Sequence, residues 1–235
     1  MWVIPRMWEG GDCWIIGGGS SMLREFKVPL DLELKVRNKE EPMSSLGPYF
    51  SPIHGKHIIG INAAFLLGDW IDVVFFGDSK FYMINEEALI RFPNIKITCN
   101  PNLKSKFTGW NVKEVRRDHR KSMGLSTTSN QISWNSNTGA AGIDLAVHFG
   151  AKRIFLLGFD MKLGGNNGEH QHWHNHYRPP TNRKEHDNRK LPFSKHLRCF
   201  PYIAQDAKRK EIEIINVTQD TAIKNFPCKT LEEVL

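Results

Sequence analysis

Long apolar runs are missing from this sequence: no stretch approaches the roughly 20 consecutive apolar residues that a membrane-spanning helix requires, so no membrane span is expected. Cysteine is scarce. Cys13, Cys99, Cys199 and Cys228 lie far apart with no Cys-x-x-Cys pair, which excludes a dense disulfide framework and favours free thiols in a reducing, cytoplasmic setting. Residues 1–6 lack a basic start followed by an apolar stretch, so no secretory signal is expected. There is no Gly-Lys-Ser/Thr to end a P-loop, which argues against P-loop ATP hydrolysis. Internal repeats and linker-like composition are also absent. The 235 residues therefore read as one domain, 1–235.

Apolar material is nonetheless sufficient. Hydrophobic residues make up 40% and charged residues 24%, with 14 Phe and 7 Trp, a globular composition well away from that of a disordered chain. Lys and Arg number 32 against 25 Asp and Glu, a net charge of +7. That balance suits an anionic partner, either a phosphate-bearing small molecule or a nucleic acid.

Six short apolar runs, at residues 13–16, 57–61, 71–76, 95–99, 153–157 and 212–216, are rich in Ile, Val and Phe and end near Gly, Asn or Asp. Runs of this kind mark strands covered on both faces. Helical patterns at 80–92, 138–149 and 194–210 alternate with them. The order predicts an α/β fold: one doubly wound, Rossmann-like, mostly parallel sheet. Two stretches resist the pattern. Residues 30–55 carry Pro42, Pro48 and Pro52 without clear periodicity, and residues 162–192 form a long histidine-rich insertion. Both are expected to be irregular, and either is a lid candidate.

The first strand runs into Gly17-Gly18-Gly19-Ser20-Ser21. Glycines there let backbone amides approach a ligand, and a following helix start favours an anion. Asn62, Asp78 and Asp160 follow three further strands, and Thr138-Gly139 opens a helix behind Asn137. Open α/β sheets bind ligands outside the carboxyl ends of their strands, so these residues outline a nucleotide crevice.

Histidines stand at alternate positions in His170-Gln171-His172-Trp173-His174-Asn175-His176. An extended chain would put all four on one face. Three readings stay open: a general base, with His174 or His172 preferred beside Trp173 and His176 next; a transition-metal site; or a solvated loop. Basic residues crowd 104–121 and 178–210, near Trp110, Trp134 and Trp173. They read as solvated faces, as partners for a nucleotide's phosphates, with Arg178 stabilising the leaving charge, or as a nucleic-acid surface with stacking aromatics.

Residues 13–23, 60–62, 74–79 and 137–160 follow the order and rough spacing of a known family. They resemble bacterial CMP-sialic-acid-dependent sialyltransferases and the related domain of many phage proteins, a domain shared with the archaeal 6-hydroxymethyl-dihydropterin diphosphokinases. The resemblance implies that Gly17, Gly18, Gly19 and Ser21 hold the CMP part of a donor. Asn62, Thr138 with Gly139, and Asp160 would complete the nucleotide site, and a histidine from the later region would act as base. The expected function is a nucleotide-dependent, glycosyltransferase-like transferase using a nucleotide or nucleotide-sugar, with a glycan or a nucleic-acid base as acceptor. A diphosphokinase would instead hold Mg²⁺ between Asp78 and Asp160, and a non-enzymatic phage protein would use the basic surface on nucleic acid. Homo-oligomerisation is left open.

Overall fold

The computed structural model of the chain describes residues 2–106, 112–164, 170–176 and 191–235. Among these residues, β1 (Asp12–Ile16), β2 (Ile58–Ile61), β3 (Val73–Phe76), β4 (Ile95–Thr98), β5 (Val112–Glu114), β8 (Arg153–Leu157) and β9 (Glu213–Asn216) form one parallel sheet in the order β5-β4-β3-β2-β1-β8-β9. Two short strands, β6 (Arg116–Arg117) and β7 (Gln131–Ile132), pair separately. The chain winds outward from β1 through β5, then returns to the other side of β1 as β8. The switch point thus falls between β1 and β8.

Strand side chains alternate between two apolar layers, which is why their sequences read as nearly continuous apolar runs. Cys13, Ile15, Ile59, Phe75, Ile154 and Leu156 pack with α4 (Thr138–His148) and α6 (Phe200–Arg209). Trp14, Ile16, Ile58, Phe76, Phe155 and Leu157 pack on the other side with α1 (Ser21–Glu25), α2 (Leu30–Arg37) and α3 (Ser79–Arg91). α5 (Phe193–Leu197) and α7 (Leu231–Val234) are short additions.

Two expectations change. Residues 30–55 are ordered secondary structure: α2, then a 3-10 segment at Met43–Ile53 that buries Leu46, Phe50 and Ile53. Phe50 packs on Phe26 at 4.4 Å. Pro48 and Pro52 fit this tighter helix and hide it from a search for the 3.6-residue period. The helix expected over 194–210 is two, α5 and α6, with a proline in the first turn of α6. Of the insertion at 162–192, residues 165–169 and 177–190 lie outside the described residues. All four cysteines are free thiols, and Cys13, Cys99 and Cys199 are buried.

Between β6 and α4 the chain is held by three buried carboxylates. Asp118 accepts from the hydroxyls of Ser126, at 2.5 Å, and Thr128, at 2.9 Å. Asp206 accepts from the Leu125 amide at 2.8 Å. Asp144 accepts from the amides of Ser126 and Ser133, the latter at 2.7 Å. Burial pushes the Asp144 carboxyl up to about 7, against the pull of those amides. This loop carries Trp134 to the carboxyl edge of the sheet.

Candidate functional site

A cavity of about 430 Å³ opens where the switch point predicts it, over the carboxyl ends of β1, β2, β3 and β8. Gly17, Gly18, Gly19, Asn62, Asp78, Thr138, Gly139, Asp160, His172 and His174 all line it. These sequence candidates meet in one place.

The glycine turn is stitched to the segment after β8. The Gly17 amide donates to Leu157 O and the Gly19 amide to Gly158 O, both at 2.8 Å. Asp160 accepts from the Ser21 hydroxyl at 2.6 Å and the Ser21 amide at 3.1 Å. A Cβ on Gly18 would stand 2.6 Å from His172 Nδ1, and one on Gly19 would overlap the Asp160 carboxylate. Glycine is therefore needed here for close approach of protein to protein. α1 is a single turn, and the Asp160 carboxylate already occupies its N-terminus. Ser20 and Ser21 are buried behind the cavity wall instead of lining it. Burial raises the Asp160 carboxyl above the usual carboxylate range, while the two Ser21 bonds oppose the rise.

The N-terminus of α4 is the open one. Asn137 caps it, its Oδ1 accepting from the Ala140 amide at 3.2 Å, and Thr138 and Gly139 face the cavity in the first turn. Amides and macrodipole there favour an anion. Asp78 starts α3 without making a side-chain cap, and Lys80 joins it at the rim.

Strain gathers around the cavity. Asn62 (φ 52°), Ser136 (φ 51°) and Met161 (φ 50°) adopt left-handed backbone and all line it. Such conformations persist where the surrounding structure enforces them, and they cluster at functional sites. Asn62 Oδ1 is buried and has no hydrogen-bond partner among the described residues. An orphaned buried acceptor costs about 1–3 kcal/mol. A ligand N–H or O–H donor would relieve that cost.

The rings of His172, His174 and His176 lie in series, His174 between the other two, but each meets different partners. Trp173 is fully buried, its amide donating to Gly18 O at 2.9 Å and its Nε1 to Gly17 O at 3.3 Å. Arg37, a buried residue of α2, donates to His172 O at 2.7 Å and to Asn175 Oδ1 at 3.1 Å. His172 and His174 stack at 5.4 Å beside the cavity. His176 turns to Asn85 of α3, its Nε2 lying 2.5 Å from Asn85 Oδ1, and the backbone of His170 pairs with Gly164. His174 Nδ1 accepts from the His176 amide at 3.2 Å, so its neutral ring carries the proton on Nε2. Burial, then the neighbouring His172 and His176 charges, holds His174 well below the ordinary imidazole value. His176 is lowered by burial and by Lys39. Among the described residues, no three His, Cys, Asp or Glu side chains are grouped to hold a metal ion. Arg178 lies outside the described residues.

His196 and Trp134 also line the cavity. His196 was not singled out by sequence, because a lone histidine in an amphipathic helix carries no signal until α5 is folded against the crevice. Burial, then Lys195, lowers its pKa, and no bond among the described residues engages its ring.

A scan against protein-family models finds no match, and no curated protein matches. Among solved structures, the MAf glycosyltransferase from Magnetospirillum magneticum AMB-1 aligns at TM-score 0.55 and 13% identity, over 100% of this chain and 36% of that one. The sialyltransferase CstII from Campylobacter jejuni, in complex with cytidine-5'-monophosphate, aligns at TM-score 0.48 and 13% identity, over 92% of this chain and 84% of that one. The likeness to the MAf protein is one of fold, and this chain spans about a third of its length.

Proposed function

We propose that the protein is a nucleotide-dependent glycosyltransferase that binds a nucleotide-sugar in the crevice and moves the sugar to an acceptor hydroxyl. The observation that carries this reading is the convergence, in one cavity, of an open helix N-terminus at Thr138-Gly139, an orphaned acceptor at Asn62 Oδ1 and imidazoles able to take a proton. The sequence resemblance to sialyltransferases and the fold shared with a glycosyltransferase support the same class.

Each part has a role. The amides at the start of α4 face the donor's phosphate, with Lys80 at the rim as counter-charge. The leaving nucleotide gains negative charge as the glycosidic bond breaks, and a preorganised dipole stabilises that change most. His196 is the base best arranged to accept the acceptor's proton. Burial keeps it neutral at pH 7, and its ring is unengaged among the described residues. His172 is the second candidate; His174 is less suited, since its acceptor nitrogen is already used. Asp160, Ser21, Trp173 and Arg37 hold the glycine turn and the histidine segment in register. The diphosphokinase alternative draws no comparable support, and both Asp160 oxygens already accept from Ser21.

A thermal-shift panel of CMP-, UDP- and GDP-sugars with the parent nucleotides tests the reading, followed by measurement of nucleotide release with glycan acceptors. The expected result is a metal-independent shift by one donor class, with release that requires His196. A shift by ATP only in the presence of Mg²⁺, or by no nucleotide, overturns it.

A further inference from the structure

Three tryptophans stand near the basic tracts as possible stacking surfaces. Trp110 lies outside the described residues, and Trp173 is sealed beneath the glycine turn. Trp134 is half-buried and lines the crevice. We propose that Trp134, backed by Arg117, is the platform on which the nucleotide's heteroaromatic base stacks; this deepens the function proposed above and rests on it.

The ring is fixed from several sides. The Arg117 guanidinium lies 3.9 Å from its centre. That guanidinium is itself held, its Nε donating to Cys99 O at 2.8 Å and its Nη2 reaching Gly77 O at 3.4 Å. A Cβ on Gly77 would overlap Cη2 and Cζ3 of the indole, so only glycine lets the ring edge reach the end of β3. The backbone beyond Trp134 is equally constrained: Asn135 (φ 57°) and Ser136 (φ 51°) are both left-handed. Asn135 exchanges two bonds with the Gly124 backbone, at 2.8 and 3.0 Å. A flat aromatic surface held this way loses little conformational freedom when a ligand covers it.

The cation behind the ring also indicates the ligand's chemistry. A guanidinium on one face draws on the π density of the indole. The polarised ring is then a poorer partner for the C–H face of a sugar, which seeks an electron-rich surface, and a better one for a heteroaromatic base. Base–aromatic stacking tolerates any base, so Trp134 supplies affinity for nucleotides as a class, and choice among bases falls to polar groups such as Asn62.

Titrations with CMP, UMP, AMP and GMP, followed by calorimetry and intrinsic fluorescence, test the assignment. The best-binding nucleotide should quench wild-type fluorescence. Trp134→Leu should weaken its binding by roughly tenfold to a hundredfold, the loss expected for one base–aromatic stack. Trp134→Phe, which keeps the packing, should bind within about threefold yet lose most of the nucleotide-induced quenching. Unchanged affinity in Trp134→Leu, or quenching retained in Trp134→Phe, overturns the platform alone. A wild-type protein that binds none of the four nucleotides overturns the nucleotide-donor function together with it.

Discussion

The carboxylate of Asp160 receives both the hydroxyl and the amide of Ser21, a residue 139 positions earlier in the chain. This pair occupies the helix start that the glycine turn would otherwise offer to a ligand, and it leaves the start of α4 as the open helix N-terminus facing the cavity.

Ser21→Ala should therefore act first on stability. Removing the hydroxyl leaves a buried carboxylate with one bond fewer, at a cost of about 1–3 kcal/mol, read by urea denaturation. Because the folded-state pKa of Asp160 is raised, its contribution is fully present below the ordinary carboxylate value and is lost as pH rises through the folded one. The variant, lacking a bond that favours the charged form, should lose more stability at pH 7 than at pH 4.

Asp144 sets a second pH dependence. Its folded pKa of about 7 lies above the unfolded value, so this group's contribution declines as pH climbs from about 4 to about 7. Asp118 and Asp206 are held below their ordinary values and work in the opposite sense, losing stability on acidification. Asp144→Asn should remove most of the decline between pH 5 and pH 7.5 while leaving the acid limb in place. Thermal melts of both proteins at those two pH values measure it.

Asn62→Gly should separate stability from binding. Glycine adopts the left-handed φ of 52° without strain and removes the unpartnered Oδ1. The ligand-free protein should gain about 1 kcal/mol, and the stabilisation produced by the bound nucleotide should shrink. Melting curves with and without ligand report both effects.

His196→Asn should lower the transfer rate by about 10²–10⁴-fold, the range for a lost general base, with nucleotide affinity unchanged in calorimetry. In the wild type the lowered pKa of His196 keeps it deprotonated at neutral pH. Activity should fall on acidification only below the ordinary imidazole value near 6.5. A pH–rate profile in which the variant loses that acid limb identifies the base.

The sheet was legible because its strands are covered on both faces and so become apolar runs; the run at 153–157 matches β8 residue for residue. Strands β5 and β6 were not, since Val112-Lys113-Glu114 and Arg116-Arg117 are short and charged and lie at the edge or outside the main sheet. The strand-end residues Asn62, Asp78 and Asp160 could be collected at one edge by topology alone. What Ser21 or His176 touches depends on partners 139 and 91 positions away, which no local pattern encodes. The alternating histidines suggested a shared face, and the rings of His172, His174 and His176 do run in contact; what no spacing could give is that the far side of His176 meets Asn85.

β1 lies inside the finished sheet, between β2 and β8. During synthesis from the N-terminus it has no such protection. From the moment β2 forms until Arg153–Leu157 leaves the ribosome, β1 is an unpaired border carrying Cys13-Trp14-Ile15-Ile16. Open apolar borders recruit other chains. The order of its strands thus makes a nascent or truncated chain ending before residue 153 prone to self-association, a hazard removed when β8 docks and, with the same movement, brings Gly158 and Asp160 to the crevice.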